Sequence, residues 1–577
     1  MVSTSCGRRS ACKLLNNKVP LKDLHLKLQR LQGKAYGTLN DLRARTWLMG
    51  DFTWNWVHIQ GDPYAPPSRL RVTVSLAHLG IPESWHDNPI RALGLADFLL
   101  RRLAFACTQH STSLGTGNGG TLATVEPGPE ILRRNSARIE QGNFVALIQV
   151  GLPADARRIE SEWVIQMLCQ SLPDALTEAC YASNFPAIEC EKFLRNLEIQ
   201  RALRAELEPR GLVAFVANGS ILPRASGTSD IPLRGARPFQ SPKELEVAIE
   251  VMGETIRGMG IPQGITAIAG GGFHGKSTLL RSIELAVYDH VPGDGRERIV
   301  CDATASKVRA EEGRQVLGTC IEPLVRRLPG GRDTRFFMTS CASGSTSQAA
   351  NLMEAIGLGA HTLLIDEDIS AVNFLIRDER MRLLIPGDKE PLIPLVDRIC
   401  EIRDRYKRNF ILVIGACGDY LQIADTVIVM EDWEPRLATN EAHATGTLRK
   451  PDAAPGSWPA WPDKLEHSLD DIRKHLKNGT RPATAIEKGI KVKANLQRIQ
   501  LGRLEAKVDN LSQFACLEQM RSVGAAAISL LLSNVTGSLE EAVAQGSATR
   551  SFPEGMDLAE ARGIELGATL LRLAEME

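Results

Sequence analysis

Eight residues near the middle of the chain have the types and spacing of a phosphate-binding loop. Gly270 is followed, after four positions, by Gly275-Lys276-Ser277 within the stretch GITAIAGGGFHGKSTLL. Glycines let backbone N–H groups turn toward phosphate oxygens, and a helix that begins at the loop adds partial positive charge. Lys276 can reach the terminal phosphates, and the Ser277 hydroxyl can bind Mg²⁺. A chance Gly-rich turn is the alternative, but the apolar strand before the loop and the helical pattern after it argue against it. The candidate nucleotide-binding residues of this P-loop (residues 270–278) are Gly270, Gly271, Gly272, Phe273, His274, Gly275, Lys276, Ser277 and Thr278.

Two acids follow a second apolar run, HTLLIDED, and supply chemistry that a P-loop lacks. Asp366 closes the run and would hold Mg²⁺ through water, together with Ser277. Glu367 would polarise an attacking water, so we name Glu367 and Lys276 as the candidate catalytic residues. Glu367 has a second interpretation as a structural acid, although an acid directly after a buried strand is costly unless it is used.

The segments that must position these residues alternate between strand-like and helical patterns. Between residues 258 and 430 the runs GITAIAG, HTLLIDE and NFILVIGA indicate buried strands of a parallel α/β sheet. The first 200 residues mix strand and helix patterns, and a Pro/Trp-rich stretch follows residue 433. We therefore predict a flexible N-terminus or transit segment at 1–20, an α+β domain at 21–205, an α/β domain at 206–450, and a mostly helical region at 451–577 with a basic segment at 488–507.

Composition excludes several classes of protein. Lys+Arg and Asp+Glu both number 68 in the 577 residues, so no global field favours nucleic acid. The twelve cysteines form no CxxC pair or zinc-spaced cluster, which predicts free thiols in a reducing compartment. No apolar run reaches the roughly 18–20 residues that cross a bilayer, so we expect no membrane partner. The first 20 residues carry four basic residues and no acid, which fits an organelle transit segment or a frayed terminus and leaves a cytoplasmic or mitochondrial location open.

A longer stretch, SGSTSQAANLMEAIGLGAHTLLIDEDISAVN, resembles the signature helix and Walker B strand of the ABC-type ATPases. In those proteins a Ser-Gly-Gly loop opens a helix that leads to the Walker B acids. Here residues 343–345 read Ser-Gly-Ser, and Asp366 lies 23 positions after Ser343, the usual separation in that family. The resemblance is closer still to the predicted ATPases of the ABC class, which lack transmembrane domains. It spans nearly the whole chain, through stretches such as QGDPYAPPSRLRV, VGLPADARRI, AFVANGSILPRASGTSDIPL and GDYLQIADTVIVMEDW.

This resemblance implies a P-loop ABC-type core that binds ATP or ADP with Mg²⁺. It implies a signature loop made of Ser343, Gly344 and Ser345, which meets ATP held by a second copy in a homodimer. At least some family members bind RNA in organelle RNA processing. By family analogy Tyr36 and Tyr64 are candidates for stacking on adenine, although a tyrosine in such a place is more often a packed surface residue.

The chain also departs from the wider ABC pattern. The third signature position is Ser345 instead of glycine, and no histidine follows NFILVIGACGDY, where transport-type members place a switch residue. These changes predict slow hydrolysis. The Q-loop cannot be assigned, and near its expected place Arg309, Glu311 and Arg314 contact either a ligand or only water.

A cluster of cations lies in the stretch EKGIKVKANLQRIQLGRLEAK, which carries six Lys/Arg against two Glu. A helix would spread these charges, whereas a strand would place Lys491 and Lys493 on one side. The cluster is either a solvated face or a surface for RNA, and the family resemblance is what favours RNA. The candidate RNA-binding residues are Lys488, Lys491, Lys493 and Arg498.

Two hypotheses from different classes follow from these patterns. The first is a slow Mg²⁺-dependent ATPase that couples nucleotide-dependent dimerisation to RNA binding. The second is a nucleotide-gated RNA-binding module with little turnover. A small-molecule kinase is a weak third, because a signature helix has no role in one.

Overall fold

A computed structural model of the chain describes residues 18–385, 387, 389–445, 458–463, 465, 467–479, 492–547 and 553–575. The chain divides into two compact units, Met1–Glu198 with Ser551–Ala559, and Ile199–Arg550 with Glu560–Glu577. Of the predicted features, most of the 1–20 segment and the cations Lys488 and Lys491 lie outside the described residues. The four-segment division proposed from the sequence stays a prediction.

The first unit is built on a mainly antiparallel sheet. Strand Ser68–Ser75 alternates strictly between buried and half-buried side chains, because successive residues point to opposite faces. The strands of this sheet, in spatial order, are Lys18–Pro20, Thr46–Met49, Phe52–His58, Ser68–Ser75, Asn143–Val150 and Leu122–Ala123, with Ala137–Glu140 also paired to Asn143–Val150. Shorter strands are Glu130–Ile131, Ala154–Asp155 and Arg158–Ile159. The α-helices are Leu21–Gln29, Pro89–His110, Ser161–Gln166 and Leu172–Cys180, and helix Ala187–Ala205 begins in this unit and ends in the second.

The centre of the second unit is a largely parallel sheet of six described strands. Its inner strands are buried on both faces, with Ile265, Leu363 and Leu412 fully inaccessible to water. This is why they read as continuous apolar runs in the sequence. The spatial order is Ser306–Val308, Thr362–Asp366, Asn409–Val413, Ile265–Gly270, Thr426–Glu431 and Glu434–Leu437, and only the last is antiparallel to its neighbour. The predicted α/β core with three buried parallel strands is thus confirmed.

Two further antiparallel sheets flank this core in the second unit. The first contains Glu246–Val251, Glu254–Pro262, Leu212–Ala217 and Ile299–Cys301. The second belongs to the C-terminal region and contains Val492–Ala494, Arg498–Leu501, Leu504–Lys507 and Leu573–Glu575. Two short strands, Val316–Thr319 and Phe337–Thr339, pair with each other.

Helices surround these sheets in the second unit. None of the helices described is long and apolar enough to cross a membrane. The described α-helices that lie wholly within this unit are Lys276–Leu285, Gly344–Gly357, Val372–Leu375, Glu379–Leu384, Leu395–Tyr406, Tyr420–Ile423, Thr439–Thr445, Leu469–Gly479, Leu517–Leu532, Leu539–Ser547 and Gly563–Leu570.

Candidate functional site

The P-loop joins strand Ile265–Gly270 to helix Lys276–Leu285, as the sequence predicts. Gly270 and Gly275 adopt φ angles of 139° and 92°, which L residues rarely reach, so the loop needs glycine at both places. At Gly270 space is also short, because a Cβ atom would lie 2.4 Å from the Met430 carbonyl oxygen. Backbone conformation and close approach together therefore account for these two glycines.

Lys276 stands at the first position of the helix and braces the loop. Its Nζ donates hydrogen bonds of 2.7 Å to the carbonyl oxygens of Gly270 and Gly271. An ammonium group has three N–H donors and no acceptor. The lysine is thus held over the loop by two of its three N–H groups. The third N–H is available to a phosphate oxygen, and a bound phosphate can also replace the two carbonyl oxygens as acceptor.

Asp366 ends strand Thr362–Asp366, and Ser277 reaches it from the P-loop helix. The Asp366 side chain is buried, and burial raises its pKa, while the Asp368 backbone N–H, the Lys307 charge and the Ser277 hydroxyl act in the opposite direction. A hydroxyl and a carboxylate are hard oxygen ligands of the kind Mg²⁺ prefers, and Mg²⁺ takes few protein ligands beside substrate phosphates and water. The pair therefore fits the predicted metal site.

Glu367, the next residue, is held by the backbone that follows strand Asn409–Val413. Its Oε2 accepts N–H bonds from Gly415 at 2.6 Å, Ala416 at 3.0 Å and Cys417 at 3.3 Å. Burial raises the pKa of Glu367, but the amides of Ala416 and Gly415 and the contacts of Cys417 outweigh it, and the pKa lies below its ordinary value. The segment that lacks a switch histidine thus forms an anion-binding turn that keeps Glu367 charged.

The predicted signature loop, Ser343, Gly344 and Ser345, forms the N-terminal end of helix Gly344–Gly357. Ser343 is exposed and adopts an extended conformation before the helix, and its hydroxyl lies 2.9 Å from the Thr346 hydroxyl. The first N–H groups of a helix have no partner within it and attract anions. The loop is therefore able to offer donors to a phosphate.

Gln348 connects this helix to the chain after the two acids, a contact that no pattern in the sequence predicts. Its side chain is fully buried; Nε2 donates to the Ser370 hydroxyl and Oε1 accepts the Ala371 N–H, both at 2.8 Å. The Ser370 hydroxyl donates in turn to the Asp366 carbonyl oxygen at 2.8 Å. A short series of hydrogen bonds therefore links helix Gly344–Gly357 to Asp366, the predicted metal-binding acid.

A buried ionic cluster fastens the other end of the signature helix. Arg314 donates to Glu354 at 2.5 Å, and Arg572, from the C-terminal region, donates to Glu311 at 2.6 Å and to the Asn351 side-chain oxygen at 2.7 Å. Burial raises the pKa of Glu311, but the charges of Arg572 and Arg314 hold it below its ordinary value. Glu311 and Arg314, which the sequence left as ligand-side or solvated, are therefore internal structural residues.

Replacing Arg572 with alanine should lower the free energy of unfolding by about 3–5 kcal/mol. Removing one partner of a buried ion pair leaves the other charge uncompensated, and here Glu311 loses its closest cation. Urea denaturation of the full chain measures the loss. Arg405→Ala is the matched control, because Arg405 pairs with Asp463 on the surface and such pairs contribute about 0–1 kcal/mol. Equal effects of the two changes would contradict the assignment.

The described part of the basic segment forms strands. In the register of the C-terminal sheet Lys493 lies opposite Gln500, and Arg498 lies opposite Lys507. Side chains alternate along a strand, so Lys493, Arg498 and Lys507 share one face, and all three are exposed. Glu505 lies among them and forms an ion pair with Arg498 at 3.2 Å. We call Lys493, Arg498 and Lys507 the basic face.

The two tyrosines considered for base stacking lie in the first unit. Tyr36 is 3% exposed and its hydroxyl donates to the Leu152 carbonyl oxygen at 2.9 Å, so its ring belongs to the core. Tyr64 is exposed. Within the P-loop, His274 Nδ1 accepts the backbone N–H of Asp432 at 2.8 Å, which makes this histidine part of the loop's framework.

A glycine-rich loop between a parallel strand and a helix, with acids at the end of a strand two positions away in the same sheet, defines a P-loop nucleotide-binding protein. Comparison with known families narrows this class. Residues 187–455 match the P-loop domain model of the ABC ATPases, and residues 21–183 match the model for the N-terminal part of ATPases of the ABC class. The chain belongs to the ATPases of the ABC class.

Individual proteins match this chain over less of its length than the two family models do together. An uncharacterised protein of Methanocaldococcus jannaschii is 32% identical over 253 residues, which cover 41% of this chain and 54% of the relative. This chain thus matches about half the length of that relative. Among solved structures, cbiO1 of Clostridium perfringens, part of an ABC transporter complex, is 14% identical with a TM-score of 0.26 over 41% of this chain and 91% of its own. An ATP-binding cassette of an ABC transporter in its ADP conformation is 9% identical with a TM-score of 0.23, over 40% and 93% of the two chains. Scores this low support no argument about this chain.

Proposed function

We propose that this protein binds ATP with Mg²⁺, hydrolyses it slowly, and couples nucleotide-dependent dimerisation to RNA binding. The observation that carries the ATPase part is that strands Ile265–Gly270 and Thr362–Asp366 end at the same edge of the parallel sheet, with the Ser277 hydroxyl near Asp366 and Glu367 directly after it. It brings the P-loop and the acids, which are far apart in the sequence, to one edge of the sheet. Steady-state release of phosphate from ATP, with and without Mg²⁺, tests it.

Each residue of the site has a distinct task in this proposal. Lys276 and the loop amides bind the β and γ phosphates, and Ser277 and Asp366 would hold Mg²⁺. The metal, when bound, neutralises charge that builds up on the phosphates during transfer. Glu367 orients the attacking water and accepts a proton from it. ADP would leave from the same loop.

Slow turnover follows from how Glu367 is held. A general base works best when its pKa lies near the working pH. Three backbone N–H groups at residues 415–417 lower the pKa of Glu367, which weakens it as a base. To bind a water molecule, the carboxylate must also break one of these hydrogen bonds or accept the water in addition to them. Both effects reduce the rate.

Dimerisation follows from the signature loop. Each chain has a single P-loop motif and a single Ser343-Gly344-Ser345 loop in its sequence. In a dimer, the N-terminus of helix Gly344–Gly357 of each copy can therefore contact the ATP bound to the P-loop of the other copy. The hydrogen bonds that join Gln348 to Ser370 and Ser370 to Asp366 would transmit a shift of the capping helix to Asp366.

A second candidate function is a nucleotide-gated RNA-binding module with little turnover. The basic face favours it, because three exposed cations of one sheet face surround a single acid. Two measurements separate the candidates: ATPase rate with and without RNA, and RNA affinity with and without ATP. RNA-stimulated hydrolysis supports the first, whereas ATP-dependent RNA affinity with unchanged, negligible hydrolysis supports the second.

The double change Lys493→Ala and Lys507→Ala should flatten the salt dependence of RNA binding. Each phosphate contact on a single strand contributes about 0.7 to the slope of log affinity against log salt, so losing two should reduce the slope by up to about 1.4. Affinity should fall alike for all sequences, because phosphate contacts carry no sequence information.

The control for this experiment is Lys474→Ala, which removes an exposed lysine outside the basic face that pairs with Asp471 in helix Leu469–Gly479. Arg498 is left in place because its ion pair with Glu505 already occupies it. A double variant that keeps the parental slope would show that the basic face is only solvated, and that RNA, if bound, uses another surface.

A further inference from the structure

Trp433 is an exposed aromatic residue that neither the proposed hydrolysis nor the proposed dimer uses. It lies in the two-residue turn between strands Thr426–Glu431 and Glu434–Leu437. Its side chain is 63% exposed, although tryptophan is among the side chains with most to gain from being covered. A large exposed ring beside a binding loop is therefore a candidate for contact with a ligand.

Two contacts place this turn against the P-loop. A Cβ atom at Gly275 would lie 3.0 Å from Cδ1 of the Trp433 ring, so the ring touches the backbone directly before Lys276. The preceding residue, Asp432, donates its backbone N–H to His274 Nδ1 at 2.8 Å. The turn that carries the ring is thus held against the P-loop, and the ring lies next to Gly275.

The backbone of the turn is strained in a way that glycine would relieve. Asp432 and Trp433 have φ angles of 48° and 67°, the conformation in which such turns usually carry Asn or Asp followed by glycine. Here a tryptophan occupies the position that glycine would fill without strain. Strain that is kept at a ligand-binding loop is a reason to look for a function of the side chain.

We propose that Trp433 is the surface on which the base of the bound nucleotide stacks. The inference rests on the proposed ATP binding, because it takes the phosphates to lie in the P-loop. With the phosphates fixed at residues 270–278, the nucleoside must leave along the rim of that loop, and Trp433 forms part of the rim beside Gly275. Stacking uses the flat face of a base and reads no hydrogen-bonding edge, so the larger purines are favoured over pyrimidines, with little choice between adenine and guanine.

Calorimetry on the full chain with Mg²⁺ tests this by comparing ATP with inorganic tripolyphosphate, which has the phosphates but no base. Trp433→Ala should weaken ATP roughly 10- to 100-fold, the range that loss of one base–aromatic stack produces, and leave tripolyphosphate unchanged. Trp433→Phe, which keeps an aromatic face, should retain most of the ATP affinity. The preference of the parent protein for ATP over CTP should shrink in Trp433→Ala.

Unchanged tripolyphosphate binding also shows that the variant is folded around an intact P-loop. The inference is overturned if Trp433→Ala leaves ATP affinity unchanged, or if it weakens ATP and tripolyphosphate equally. Loss of ATP affinity in Phe273→Ala but not in Trp433→Ala would overturn it as well, because the base would then lie on the exposed ring of Phe273. Failure of the proposed function looks different: the parent protein would bind neither ligand, or Lys276→Ala would bind both normally.

Discussion

Lys276→Ala is expected to weaken ATP binding by about 30-fold or more. Truncating one partner of a close, desolvated charge pair costs roughly 2–5 kcal/mol, and each 1.4 kcal/mol is a factor of ten in affinity. The same change removes the two bonds to the Gly270 and Gly271 carbonyl oxygens that brace the loop. Calorimetry with ATP and Mg²⁺ measures the effect.

The matched control is again Lys474→Ala, which removes an exposed cation from helix Leu469–Gly479. It lowers the net charge of the chain by the same amount, so a general electrostatic effect on ATP would appear in both variants. An ATP affinity that is the same in Lys276→Ala as in the parent would mean that the P-loop is not the nucleotide site.

Glu367→Gln is expected to lower the rate of ATP hydrolysis by about 10²- to 10⁴-fold, the contribution of a positioned general base. The amide carbonyl oxygen of glutamine can still accept the N–H groups of Gly415 and Ala416, so the turn should stay folded. What is lost is the negative charge that takes up a proton. ATP should therefore still bind, and an ATP-bound dimer should accumulate, which sedimentation velocity detects.

Asp368→Asn is the control for this change, since Asp368 is an exposed carboxylate next to the site that holds no water or metal in the proposal. Its hydrolysis rate should stay near that of the parent. If Glu367→Gln hydrolyses ATP at the parental rate, Glu367 is a structural acid held by residues 415–417. If it is inactive but remains a monomer with ATP and Mg²⁺, the catalytic role stands and the dimer model does not.

Most of the ATPase core could be predicted from the sequence because its signals are local. Buried parallel strands read as unbroken apolar runs, and the P-loop glycines report φ angles that other residues avoid. The order strand, loop, helix is also a local pattern. The carboxyl ends of parallel strands lie at one edge of a sheet, so the sequence alone predicts that Asp366 lies near Ser277.

Contacts between distant segments could not be predicted in this way. Glu367 takes its N–H partners from residues 48 to 50 positions further along the chain. Arg572 forms an ion pair with Glu311, which lies 261 positions earlier, and nothing in the sequence around either residue indicates that the two are partners. The sequence showed only that a switch histidine is missing; the tertiary structure shows that backbone amides lie against Glu367 in that segment.

The basic segment and the aromatic residues show the same division. Composition identified the cations, but the strand register decided that Lys493, Arg498 and Lys507 share an exposed face. Sequence analogy pointed to Tyr36 as a stacking residue, and packing buried it, while Trp433 was brought to Gly275 by a hairpin turn. Residue type, spacing and periodicity determine which chemistry the chain can perform. The pKa, exposure and position of each side chain depend on neighbours from remote elements, and no local pattern encodes how those elements pack.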